Sequence, residues 1–287
     1  MLHLGNQPPA SAIPFGAEPS LLPAVCRDLR YQVVQMSHQA GTPHLGSALS
    51  VIDILAAIYW RAARIDPANA RDPARDRVIL SKGHAATALY AALAARGFFP
   101  EAWLDRFAQP GSPLAEQPAP GCAPGVELAT GSLGHGLPVG AGMALAAAIR
   151  GGPQRVFVVL SDGECNEGSV WEAALFASAN ALGRLVAVID YNKWQATGRS
   201  DEVMGLPSLA AKWAAFGWEA REVDGHSLAD LAGALTAQRQ DRGRPLALVA
   251  HTTKGRGVSF MEDDNNWHYR VPKAEEVAAA ARELAAP

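Results

Sequence analysis

The chain has 287 residues, 49% of them apolar, enough to bury the core of one large domain or two small ones. A net charge of −3 and a pI of about 6.2 lack the basic surplus of a general nucleic-acid binder, so no nucleic-acid partner is expected. Charged residues make up only 18%, below the roughly 25% usual in soluble domains, which points to a surface partly covered by another subunit.

Residues 1–20 form a Pro-rich lead-in without the basic start and apolar run of a signal peptide, and residues 21–287 read as one domain. A helix is predicted over Ala24–Gln39, stopping near Gly41, and a second over Val51–Arg64. Val78–Leu80 is a short strand entering a Ser-Lys-Gly turn, followed by a helix over His84–Arg96. Pro110–Gly125 is too rich in Pro and Gly to be anything but loop. Gly134–Ile149 is dense in Gly and Ala and reads as a closely packed helix. Its Val139–Ile149 stretch, the most apolar long run, falls short of the roughly 20 residues a membrane span needs, so no membrane partner is expected.

Arg155–Leu160 is a continuous apolar run, as in a strand buried on both faces. After the turn SDGECNEG, Ser169–Leu182 is helical in composition and Leu185–Asp190 is a second buried strand. Strand, helix and strand make a right-handed parallel crossover. Two more strands are expected at Trp218–Val223 and Leu246–Ala250, with a helix over Ser227–Gln240 between them and a last helix over Lys273–Leu284. The fold class is α/β, a mostly parallel sheet with helices on both faces. Ligands of such sheets bind at the carboxyl ends of the strands.

Cys26, Cys122 and Cys165 form no CxxC pair; a low, odd count fits the reducing cytoplasm. Cys165 reads as a small buried filler.

Asp162 follows one predicted strand and Asn192 the next, 30 positions on. Both therefore lie at the same sheet edge, beside a helix start near Gly168. A carboxylate and an amide oxygen there suit a hard cation bound to phosphate, since Mg²⁺ wants about six oxygens and takes few from protein. Gly163 lets the backbone turn close to a ligand, and the helix dipole opposes phosphate charge.

The run SDGECNEGSVWEAALFASANALGRLVAVIDYNK resembles the thiamine diphosphate motif, which opens with GDG and closes with Asn; Ser161 replaces the first Gly. The chain resembles the transketolase family in particular. LSKGH ending at His84, PGVELATGSLGHG from Pro124 to Gly136, KGRGVSFMEDDNNWHYR and GTPHLGSALS extend the likeness from about Ala24 to Pro272. The resemblance implies Mg²⁺ bound by Asp162, Asn192 and the backbone carbonyl of Trp194. It implies cofactor contacts from His84, Gly131, Ser132, Leu133, Gly163, Glu164, Asn192, Lys254 and His268. His44, His84 and His268 match active-site histidines that orient substrate and move protons near neutral pH.

The remaining histidines read differently. His3, His38 and His251 are taken as structural, His226 in VDGH as a helix cap, and His135 stands where the family often has glutamine. Glu167 and Glu172 match positions that meet a neighbouring subunit. Pro43 stands where Gly is usual, and Gln117 falls where the family carries a substrate-contacting histidine; glutamine can hydrogen-bond but takes no proton.

The match is to split transketolases, whose two halves are separate chains. In the family, the cofactor is its own electron sink, and a glutamate on a separate pyrimidine-binding domain activates it. A C-terminal transketolase subunit is therefore the expected partner, in a heterotetramer acting on a ketose or sugar phosphate. The rivals are a synthase taking a 2-keto acid donor, resembling deoxyxylulose phosphate synthase, and a cofactor-binding subunit without turnover. An unrelated nucleotide-binding protein would need GxxxxGK[ST], which is missing.

Overall fold

A computed structural model describes residues 8–205, 208–237 and 243–286. Its sheet has five parallel strands: β1 (Arg77–Leu80), β2 (Val156–Ser161), β3 (Leu185–Tyr191), β4 (Glu219–Asp224) and β5 (Leu246–His251), in the order β1-β2-β3-β5-β4. The helices are α1 (Leu22–Ala40), α2 (Leu45–Ser50), α3 (Ile52–Ala57), α4 (Ala86–Ala95), α5 (Gly136–Ile149), α6 (Gly168–Ala179), α7 (Ser200–Met204), α8 (Leu209–Ala215), α9 (Leu228–Ala237) and α10 (Ala274–Ala285).

The central strands are apolar throughout because both their faces are covered, and successive side chains feed two separate cores. Phe157, Val159, Val186, Val188, Leu246 and Leu248 pack on the side of α1 and α4. Val156, Val158, Leu160, Leu185, Ala187 and Ile189 pack on the side of α5 and α6, with Trp213 and Trp218. β4 closes one edge and is only half-buried, so it alternates Glu219, Arg221 and Val223 with Ala220, Glu222 and Asp224 instead of running apolar.

The strands expected from apolar runs are all present within a residue or two at their ends. Three differences have physical causes. The second helix begins six residues early, at Leu45, bends at Val51 and finishes in a π-turn over Ile58–Ala62. Gly-Ser-Ala-Leu inside a motif reads as turn, but buried apolar neighbours make it helix. Second, among the described residues it is Leu45–Ala62, rather than Val139–Ile149, that is apolar enough by length and composition to cross a bilayer; 94% of it is buried in the fold as core helix. Third, the lead-in is not loose where it is described: Ala10 and Ile13 are buried, and Trp60 Nε1 donates to the Ile13 carbonyl at 3.0 Å. α7 and α8 have no counterpart among the expected helices; the carboxyl end of the predicted Ser227–Gln240 helix and His3 lie outside the described residues.

α5 and α6 are apolar around most of their circumference. Ile149 is 77% exposed and Leu175 58%, with Phe176 and Val139 also open. A helix apolar all round belongs inside an assembly or a larger core.

Candidate active site

The register of β2 on β3 pairs Ser161 with Asp190, so Asp162 and Asn192 leave adjacent strands at the same edge. Asp162 is fully buried. Its Oδ1 accepts from Gly163 N at 2.9 Å, and its Oδ2 from Lys193 N at 2.9 Å and Ser200 Oγ at 2.7 Å. Lys193 takes a left-handed φ of 70° to aim that N–H inward. Burial pushes the Asp162 carboxyl up to about 6 against these hydrogen bonds, and the nearby Asp190 charge adds to the rise. Asn192 Oδ1 accepts from Trp194 N at 3.1 Å, and its Nδ2 donates to Ser50 Oγ at 3.3 Å.

Three imidazoles meet above this edge. Ring centroids are 5.3 Å apart for His44 and His84, 4.8 Å for His44 and His268, and 5.9 Å for His84 and His268. His44 has a left-handed φ of 70° and donates its N–H to the His268 carbonyl at 2.9 Å, which locks the first and last motifs together. Burial lowers the pKa of all three, that of His268 to about 3. Positive charge nearby does the rest: Lys82 acts chiefly on His84, and Lys254 on His268. The imidazoles are thus neutral at neutral pH.

Two buried lysines lie beneath them. Lys254 Nζ donates to Asn265 Oδ1 at 2.6 Å and sits 3.3 Å from His268 Nδ1. Burial and the like charge of Lys82 bring Lys254 down to about 8. Lys82 pairs with Asp190, which also accepts from Ser50 and Thr252.

A cleft of about 580 Å³ opens over these groups, lined by His44, His84, His268, Gln117, Gly131, Leu133, Gly163, Asn192 and Trp194 among others. Most of the sequence-predicted site residues thus converge. Gln117 packs so closely on Gly131 that a Cβ there would lie 1.8 Å from its amide oxygen, so the loop-length placement of Gln117 beside the site agrees with the fold. Two of the expected cofactor-side residues, Glu164 and Ser132, present no side chain to the cleft. Glu164 does not face the cleft: its buried carboxylate is taken by Ser81 Oγ, by Gly134 N at 2.8 Å and by Ser161 N at 3.3 Å. It braces the Asp162 turn against the Gly131–Gly134 loop. Ser132 is exposed and outside the cleft wall, because the left-handed Gly131 and Gly134 turn it outward. His135 is likewise exposed and bonds the Leu133 carbonyl at 3.1 Å.

Sequence reasoning missed the clamp over the cleft's rim. Arg199 makes a bidentate pair with Asp263 at 2.7 and 2.6 Å and stacks 3.8 Å over the Trp194 ring, whose Nε1 donates to Asp263 at 2.8 Å. These residues are 69 positions apart at most, and neither loop alone signals the pairing.

The family model for the transketolase thiamine diphosphate-binding domain matches residues 23–286. This chain belongs to the transketolase family. It is 40% identical over 255 residues to one of the subunits of an apulose-4-phosphate transketolase from Phocaeicola vulgatus, covering 89% of this chain and 90% of that one. It is 41% identical over 244 residues to one of the subunits of a 6-deoxy-6-sulfo-D-fructose transketolase from a Clostridium species, covering 85% and 89%. The transketolase of Campylobacter jejuni superposes with a TM-score of 0.85 at 26% identity, over 92% of this chain and 43% of its own. The chain therefore spans less than half the length of solved transketolases and nearly all of these single-subunit relatives.

As a transketolase-family, thiamine diphosphate-binding subunit, it has a cleft that fits a diphosphate. The neutral imidazoles of His44, His84 and His268 line it and offer donors, Lys254 adds positive charge from just beneath the wall, and the carboxylate on the lining, Glu167, is exposed.

Proposed function

We propose that this chain is the diphosphate-side subunit of a two-chain transketolase that moves a two-carbon ketol unit from a ketose to an aldose. The observation that carries the proposal is the meeting of His44, His84 and His268 with Lys254 above a buried Asp162. Relatives named as transketolase subunits imply a second chain, and the exposed apolar side chains of α5 and α6 are the surface it or another copy would cover. The proposed assembly is a heterotetramer in the cytoplasm. The partner would bring the glutamate on the pyrimidine side.

Mg²⁺ fits the donor set. Asp162 is a buried carboxylate served only by neutral donors, with a second carboxylate nearby, so a cation would relieve it. Among the described residues no three His, Cys, Asp or Glu side chains are placed to hold a metal ion together, so an ion here would complete its shell with water and phosphate oxygens. Asp162, Asn192 and the Trp194 carbonyl would hold it.

Thiamine diphosphate, when bound, supplies the electron sink for breaking a ketose carbon–carbon bond. The protein's own part is orientation and proton handling. Neutral His44, His84 and His268 can each accept a proton from a sugar hydroxyl or donate an N–H to one. Lys254 carries positive charge below pH 8 and draws the diphosphate to the buried end. Gln117 can hydrogen-bond a sugar but cannot move its proton.

The test is co-purification with the partner chain, followed by assay with a ketose donor and an aldose acceptor. Ketol transfer that needs both chains, Mg²⁺ and thiamine diphosphate is the expected result. Release of carbon dioxide from pyruvate with no ketol transfer would establish the 2-keto acid reading instead. Bound cofactor with neither reaction would mean a subunit without turnover.

A further inference from the structure

Behind the cleft, and outside its lining, a buried ionic cluster joins four segments that are distant in sequence. Arg30 on α1 pairs with Asp53 on α3, and Asp53 Oδ2 also lies 2.7 Å from His226 Nδ1. His226 belongs to the turn after β4, where Gly225 presses against the end of β5; a Cβ at Gly225 would sit 2.4 Å from Thr252 Cγ2. From there the far ring nitrogen of His226, Nε2, meets Thr253 N at 2.8 Å.

That last contact fixes the tautomer. A backbone N–H can only donate, so Nε2 accepts and carries no proton. The ring proton is then on Nδ1, donated to Asp53. Although burial opposes it, Arg30, with help from His226, holds the Asp53 carboxyl down at about 2, so Asp53 stays an acceptor. Thr253 immediately precedes Lys254, and Arg30 Nε grips the same loop further on, at the Arg256 carbonyl, at 2.9 Å. The cluster therefore holds the Lys254 loop at both ends.

We infer that His226 is a positioning residue: as the Nδ1-protonated tautomer set by Asp53, it fixes Thr253 and so places Lys254 against the anion side of the cleft. The inference goes beyond helix capping by this residue, and it rests on the reading of Lys254 as a cofactor-side group. Carboxylates that orient a metal-bound histidine are worth about 10–100-fold in affinity or activity, and an effect at the lower end of that range is expected of this metal-free pair.

Two substitutions separate the ring's two contacts. In His226→Gln the amide oxygen can replace Nε2 and still accept from Thr253. In His226→Asn the amide can replace Nδ1 and keep Asp53, but nothing reaches Thr253. Each variant is made in the two-chain complex, with a thermal melt to show that it is folded. Hydrogen exchange of the peptide covering residues 252–258 and thiamine diphosphate binding by calorimetry are then measured. The expected result is about tenfold faster exchange and about tenfold weaker binding for His226→Asn, with His226→Gln within about twofold of wild type in both. Wild-type behaviour of His226→Asn, or equal damage in both variants, overturns the inference. Faster exchange of His226→Asn with unchanged cofactor affinity upholds the grip on Thr253 and counts instead against the cofactor role of Lys254.

Discussion

At the amino ends of the strands, Asp76 is buried and accepts from the backbone N–H groups of Arg64 and Arg155 at 2.9 and 2.8 Å, with both guanidinium groups beside it. At the carboxyl ends, Lys82 is matched by Asp190, but Asp162 is equally buried and receives only neutral donors, and Lys254 stands beside the neutral imidazole of His268. One end closes its charges on itself, and the other leaves Asp162 and Lys254 without an ionic partner among the described residues. The same sheet thus separates scaffold from site: charge that is matched locally gives stability, and charge that is not gives binding.

The sharpest way to break this division is to remove one carboxylate from each end. Asp162→Ala in the two-chain enzyme is expected to lower turnover roughly 10²–10³-fold, with a stability loss smaller than that of Asp76→Ala because it strands neutral donors and no guanidinium group. Asp76→Ala should do the reverse. It removes the carboxylate that serves two buried backbone N–H groups and two guanidinium groups, costing roughly 3–5 kcal/mol of stability while the folded fraction keeps its turnover. Steady-state kinetics and denaturant melts of both variants check the pair, and equal kinetic damage from Asp76→Ala would abolish the distinction.

Next in size is His84→Ala, expected to lower turnover about 10²-fold with folding intact, since its imidazole lies at the heart of the open end. Glu164→Gln is smaller. It keeps acceptors for only part of the network with Ser81, Gly134 and Ser161, so cofactor affinity should fall roughly tenfold with little change in turnover at saturation. A fall in saturated turnover as large as that of His84→Ala would mean that Glu164 acts on the reacting groups directly.

The smallest effect is a pH dependence. Lys254 sits at about 8 because burial and Lys82 disfavour its charge, and a bound diphosphate would favour it. Binding should therefore weaken as pH rises through about 8. Near pH 8.5 it should take up a fraction of a proton, read by calorimetry in two buffers of different ionisation enthalpy. Proton release instead would show that the anion does not meet this amine.

Much of the fold is legible in the sequence because its signals are local. Val156–Ser161 and Leu185–Tyr191 are apolar enough to be strands buried on both faces, and their ends carry Asp162 and Asn192. The histidines of the cleft are legible through motifs. What escapes depends on long-range contact. Nothing near Glu164 tells that Ser81, 83 positions earlier, will take its carboxylate, so a brace reads as a ligand. His226 reads as a cap because its partner Asp53 lies 173 positions away. The α2 helix is hidden for another reason: its apolar residues sit in a motif whose Gly and Ser weigh toward turn, and only burial decides.

The clamp of Arg199 and Asp263 over Trp194 makes the protein its own gauge. Of the seven tryptophans, Trp60, Trp213, Trp218 and Trp267 are sealed in the interior and Trp103 and Trp171 are half-buried outside the cleft lining, whereas the Trp194 indole lines the cleft beneath a cation. Its emission should therefore register what enters the cleft and whether the rim is shut. Because the Asp263 side chain is 55% exposed, added salt should loosen the pair and change that emission without any ligand. An unlabelled sample carries a fluorescent reporter of the cleft and its rim, placed there by the fold.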